Sequence, residues 1–339
     1  MALTSISITP QLGNNTVTAI NCGTSVPRLG GTIDISAFPN LQQFICNSND
    51  ITALSGYAQN SNLKTVEFFN NSVTGLLPSL SAMTNLMFFY CHTNQLTGPI
   101  PSLRGLTNLR QFRCQVNQLT GPIPSLSGLT NLTNFYCGTN LLTGSIPSLS
   151  SVTNLRDFQC QSNELTGSIP SLSGLTELTV FNCSNQTGVT KLTGSIPSLS
   201  SVTNLQSFFC HTNQLTGSIP TLSSLTTLLE FYCHNNQLTG SIPSLSGLNN
   251  LQRFYCYSNL FTGFAGGSVT NTLGDFQAQN NQLTQSSIDA ILAAFVAANK
   301  TTGTRNLLLA GTGNASPTGG QNNPDRLTLV SRGWTVQVN

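Results

Sequence analysis

A phrase of 23 residues repeats along this chain, and that fixed period constrains the fold more than composition does. Cysteines mark it: Cys91, Cys114, Cys137, Cys160 and Cys183 follow at 23-residue steps, as do Cys210, Cys233 and Cys256, with one step of 27 between Cys183 and Cys210. Residues 108–130, NLRQFRCQVNQLTGPIPSLSGLT, show the unit. One such unit cannot bury its own apolar face, so copies stack and share a core. The 339 residues are therefore expected to form a solenoid, not several separate globular domains.

The cysteine column is a core position. In NLKTVEFFNNSVTG the cysteine site holds Phe68, and in DFQAQNNQL it holds Ala278. A site that accepts Cys, Phe and Ala is apolar in character, and free Cys behaves as a small hydrophobe. In QFRCQ, Cys114 alternates with Phe112 at strand period, which places both on one face. The thiols are thus expected to be reduced and buried. No C-x-x-C pair occurs, so the close spacing typical of zinc ligands is missing and no metal site is expected.

Written out, the unit is L-x-x-L-x-x-F-x-C-x-x-N-x-L-T-G-x-I-P-S-L-S-x, and from roughly residue 16 to 284 it resembles the leucine-rich repeat in its plant-type LTGxIP variant. The resemblance implies a β-rich leucine-rich repeat solenoid with a parallel sheet on the concave face. Strand centres are expected at Ile20, Phe44, Val66, Phe89, Phe112, Phe135, Phe158, Phe181, Phe208, Phe231, Phe254 and Phe276. It also implies an asparagine ladder at Asn49, Asn71, Asn94, Asn117, Asn140, Asn163, Asn213, Asn236, Asn259 and Asn281, whose side chains satisfy inward-facing backbone groups. The SIPSLS segments, with a fixed proline and no helical period, are expected to give an extended or tight-turn convex side.

Solenoid ends need caps. Residues 1–29 are expected to form an N-terminal extension and cap, 30–284 the repeats, and 285–339 a small α/β C-terminal cap. Within the last, SSIDAILAAFVAANK reads as an amphipathic helix capped by Ser286 or Ser287, with Asp289 in its first turn and Ile288, Ile291, Leu292, Phe295 and Val296 on one face. Strand-like segments follow around Leu307 and Trp334. This tail resembles the cap that follows such repeats in bacterial and bacteriophage proteins.

Charge excludes several functions. Only 10 acidic and 12 basic residues are present, with no basic cluster to neutralise a phosphate backbone, so nucleic acid is not an expected partner. No apolar run reaches membrane-spanning length, so no membrane insertion is expected, and MALTSISITPQLGNN has neither the basic nor the apolar segment of a signal peptide. Nucleophile-elbow, HExxH and phosphate-loop motifs are missing, so neither an enzyme nor a cofactor is expected.

The alternation that buries Phe and Cys turns the intervening residues outward. Three consecutive coils then bring aromatics together: Phe209 with His211, Tyr232 with His234, Tyr255 with Tyr257, and Glu230 and Arg253 beside them. These eight form the candidate ligand-binding site on the concave face, for a protein or glycan. The four extra residues within SNQTGVTKLTG, at 184–194, interrupt the coil just before them. By resemblance, the expected setting is a virion surface, with other virion structural proteins as possible partners; an extracellular bacterial or protist protein is the alternative.

Overall fold

The computed structural model describes residues 17–23 and 27–339, so the expected N-terminal cap lies largely outside the described residues. The chain divides into two compact units, Met1–Leu165 and Thr166–Asn339. In the first, strands Ala19–Asn21, Gln43–Ile45, Thr65–Glu67, Phe88–Tyr90, Gln111–Arg113, Asn134–Tyr136 and Asp157–Gln159 pair in parallel, each with the next. In the second, Val180–Asn182, Ser207–Phe209, Glu230–Tyr232, Arg253–Tyr255 and Asp275–Gln277 do the same, and Asn306–Leu308 and Thr335–Gln337 extend the row. Every expected strand centre from Ile20 to Phe276 is the middle residue of one of these strands. The fold is a parallel β-solenoid.

Register does the packing. Phe112 pairs with Phe135 and Phe208 with Phe231, so identical side chains fall one rung apart and stack. Ring centroids lie 5.4 Å apart between Phe89 and Phe112 and 5.3 Å between Phe231 and Phe254, with planes 8° and 11° from parallel. These rings are fully buried, and each is worth about 1.5–3 kcal/mol of apolar burial. The cysteines beside them are free thiols, buried from Cys46 to Cys256; Cys22 alone is partly exposed.

Each ladder asparagine serves two coils. Asn140 Nδ2 donates to the carbonyls of Cys114 and Cys137, both at 3.1 Å, and its Oδ1 accepts from Leu119 N at 3.0 Å. The residue before it, Thr139, is left-handed at φ 55°, as is its counterpart on other rungs, Val116 included at φ 57°. That turn aims the amide inward. In the coil with the insertion the expected list has a gap, and Gln186 fills it: it is fully buried and its Nε2 donates to the carbonyls of Cys183 and Ser184. A longer amide performs the same role, so the ladder continues through Cys183 to Asn213. The extra residues emerge after Gln186, where Val189 is 95% exposed and its carbonyl accepts from Gln214 Nε2.

The LTG segments, for which the sequence offered no strand signal, form further parallel strands. Gln95–Pro99, Gln118–Pro122 and Leu141–Ser145 pair in the first unit, and Thr216–Gly217, Gln237–Ile242 and Leu260–Phe264 in the second. Leu96, Leu119, Leu142, Leu238 and Phe261 point into the core, and the glycine two places on in the LTG segments sits at positive φ, 72° at Gly121 and 73° at Gly144, a conformation costly for side-chain-bearing residues.

At the C-terminal end the cap departs from expectation in two ways. Helix α1 spans Gln285–Ala298 and is capped by Thr284, whose Oγ1 accepts from Ser287 N at 3.3 Å, in place of Ser286 or Ser287. Asp289 therefore lies beyond the first turn, and its carboxylate instead accepts from Thr318 N at 2.9 Å and from Asn323 Nδ2 at 3.3 Å. A second helix, α2 over Pro324–Ser331, was not expected. Its signals are Asn323 as N-cap, Pro324 at the first position and Asp325 in the first turn, overshadowed in the sequence by the strand-like LTLV. Ile288, Ile291, Leu292 and Phe295 are buried as expected, and Phe295 receives Phe276 on one side and Trp334 on the other.

Candidate functional site

In the second unit the strands that bury Phe208, Phe231 and Phe254 turn Phe209, Tyr232 and Tyr255 to the opposite face, in register. Strand spacing of about 4.8 Å is close to the stacking distance of planar rings, so the column closes on itself. Tyr232 lies 4.4 Å from Tyr255 with planes 9° apart, and 4.8 Å from Phe209, tilted by 38°. Past the cysteines a second column does likewise: His234 is 4.3 Å from His211 and 4.3 Å from Tyr257, at 8° and 18°. The structure thus brings together all six predicted aromatics as two adjacent ladders. Both faces of Tyr232 and of His234 are occupied by neighbouring rings.

Polar tethers fix the ladders. Tyr232 Oη donates to Glu230 Oε1 at 2.9 Å, and Glu230 also holds Arg253 in an ion pair. Tyr255 Oη donates at 2.7 Å to Asp275, a buried residue absent from the predicted site. Gln277 Nε2 donates to the same carboxylate at 3.0 Å. The signal for Asp275 was available: it precedes Phe276 just as Glu230 precedes Phe231.

The rings are neutral at physiological pH. Burial, then the bond to Glu230, pushes the Tyr232 hydroxyl up to about 12. Burial lowers His211, and burial followed by the charge of His211 takes His234 down to about 3. His234 is only 8% exposed, because packing of the ladder on both sides covers the ring, and its buried Nδ1 has no hydrogen-bond partner. Parallel imidazoles direct their nitrogen lone pairs side by side, not at a common point, and among the described residues no cluster of three His, Cys, Asp or Glu is arranged to hold a metal. Cys210 and Cys233 point into the core, away from these histidines, with thiol acidity suppressed by burial.

The first unit carries its own outward features, which the sequence reading did not single out as a site. Phe69 stacks on His92 at 4.5 Å, and Arg113 stands between Tyr90 and Tyr136. Burial, then the charge of Arg113, lowers His92 to about 4. Among the described residues, no helix is long and apolar enough to cross a membrane.

No protein-family model and no curated protein sequence matches the chain. Solved structures do. A complex of PEPR1 with AtPEP1 is 25% identical over 85% of this chain and 44% of that one, with a TM-score of 0.68. The Arabidopsis receptor kinase HAESA leucine-rich repeat ectodomain, in complex with an extended IDA peptide hormone, is 25% identical over 80% and 47%, with a TM-score of 0.67. The functional domain of InlJ from Listeria monocytogenes, which includes a cysteine ladder, is 19% identical over 87% and 64%, with a TM-score of 0.60. This chain spans about half the length of the receptor chains it matches, and its solenoid is of the leucine-rich repeat kind that they display.

Proposed function

We propose that the protein is a non-enzymatic recognition module that binds an extracellular protein or peptide through the double ladder of its second unit. The observation that carries this reading is the stacking of Tyr232 and His234 between neighbours on both sides. A sugar ring binds an aromatic by lying on its face, and the inner faces are taken; ring edges, which are electropositive, suit the carbonyl oxygens of an extended chain. Structural neighbours seen with bound peptides support the same choice, and the receptor ectodomain among them supports an extracellular setting over a virion surface. Partner segments on a rigid sheet of this kind are held by aromatic anchors near the interface centre.

The test is a pair of double variants probed on an extracellular-protein array and on a glycan array. Tyr232→Ala with Tyr255→Ala removes the ladder, at an expected cost of about 2 kcal/mol or more, so protein hits should weaken at least about tenfold. Gln159→Ala with Gln161→Ala, on strand Asp157–Gln159 and just after it, is the control and should bind as the parent does. Equal loss from both pairs, or hits confined to the glycan array, would reject the reading.

A further inference from the structure

We infer that the first unit holds a separate site, an arginine slot that takes a single carboxylate from an acidic peptide side chain. This goes beyond the ladder site of the second unit and does not rest on it. Arg113 ends the strand Gln111–Arg113, flanked in register by Tyr90 on one side and Tyr136 on the other. Its guanidinium carbon lies 4.8 Å from the first ring centroid and 5.0 Å from the second. Both rings are fixed from their hydroxyls: Tyr90 Oη donates to Gln111 Oε1 at 2.7 Å, and Tyr136 Oη donates to Asp157 at 2.7 Å while accepting from Asn134 Nδ2 at 2.9 Å. The slot is therefore built before any ligand arrives.

What the slot lacks is an acceptor. A guanidinium has five N–H donors, and Arg113 uses one, from Nη2 to Gln111 Oε1 at 2.8 Å. Its Nε is buried with no partner, and no ion pair joins it to a carboxylate among the described residues. The charge is felt around it nevertheless: Arg113 acts on His92 and Glu67 after burial, and on Asp157 after burial and the bonds from Tyr136 and Gln159. A half-buried, rigidly held cation with most of its donors uncommitted is a receptor for an anion.

Charge chooses the class. Two flanking rings leave a slot in the guanidinium plane, where a carboxylate or a phosphate can pair with the fork through two oxygens, so shape alone does not decide between them. Glu67 and Asp157 on nearby strands add negative charge that a monoanion tolerates better than a dianion. Side-chain carboxylates of Asp or Glu fit these conditions.

The experiment follows Arg113 itself, by arginine-selective nitrogen-15 spectra of the full chain. The probes are acetylated, amidated pentapeptides Gly-Gly-Glu-Gly-Gly, the same peptide with Gln, and the same peptide with phosphoserine. The Glu peptide should shift the Arg113 Nε–H resonance, with an affinity that falls as salt is raised, and the Gln peptide should not. Arg113→Lys keeps the charge but not the planar fork and, titrated calorimetrically beside the parent because it lacks the reporting resonance, should bind the Glu peptide about tenfold more weakly; Tyr136→Phe, which keeps the ring, should retain binding. A shift of equal size with the Gln peptide, tighter binding of the phosphoserine peptide, undiminished binding by Arg113→Lys, or no Arg113 shift at the highest soluble concentration would overturn the assignment.

Discussion

Phe295 of helix α1 meets Phe276 edge-on, with centroids 5.5 Å apart and planes at 63°, where Phe254 and Phe276 one rung earlier lie 10° from parallel. The repeating stack ends on a ring turned across it, and Trp334 in turn closes on Phe295 at 80°. Phe295→Ala should open a cavity at the end of the ladder and cost about 3–5 kcal/mol, read as a lower midpoint in denaturant. Deletion of residues 285–339 should uncover Leu283 and Phe276 and cause aggregation. A truncated chain as soluble and stable as the parent would remove the capping role.

Asn140→Asp tests the amide ladder with almost no change in shape. The carboxylate keeps an acceptor for Leu119 N but faces the carbonyls of Cys114 and Cys137 with no N–H to give them. Cys114 O keeps Asn117 and Cys137 O keeps Asn163, but a buried carboxylate then faces two carbonyl oxygens, at about 1–3 kcal/mol in all. Thermal melts at neutral pH should show the loss, and an unchanged midpoint would mean that the neighbouring amides suffice for the ladder.

Val116 holds a β-branched side chain at φ 57°, where other rungs place Asn70, Asn185, Asn235 or Asn280. Asparagine tolerates that region far better. Val116→Asn should therefore stabilise the protein, by about 1 kcal/mol. A destabilised variant would show that packing of the valine outweighs its backbone strain.

Thiol labelling separates one cysteine from the rest. Only Cys22 is partly exposed, and its hydrogen bond with Cys46 lowers its pKa, so a maleimide should modify Cys22 alone in the folded protein and all ten cysteines after denaturation. This refines the expectation of ten equally protected thiols. Rapid native labelling of several cysteines would contradict the buried column.

Acid should act through His234. Its folded value, about 3, lies below the ordinary value near 6.5, so the unfolded chain takes up a proton that the folded chain refuses. Stability is full above about pH 6.5 and is lost progressively as pH falls from there toward 3. His234→Gln should flatten that part of the stability profile while leaving the neutral-pH end little changed. An unchanged slope would mean that the ring accepts a proton in place.

Strand positions, core columns and the open face were legible in the sequence because a 23-residue period fixes which way each side chain turns. Columns give an address but not an orientation. That Tyr232 stacks face to face, that Tyr255 reaches Asp275, and that Arg113 slides between two tyrosines depend on rotamers set by neighbours a rung away. Gln186 and α2 were missed for a different reason. In each, a local signal differed from the repeating template: a longer amide in one case, an Asn-Pro-Asp start hidden by an alternating LTLV in the other.

The loop after Gln186 leaves a coil whose two ends are already secured, by Gln186 on the cysteine carbonyl and by Leu192 N on Asn213 Oδ1. Length added between those points alters neither the rung spacing nor the amide ladder. The position is accordingly a natural graft point: a peptide tag or foreign epitope spliced at Val189 would be displayed on a rigid frame while the repeat count stays the same.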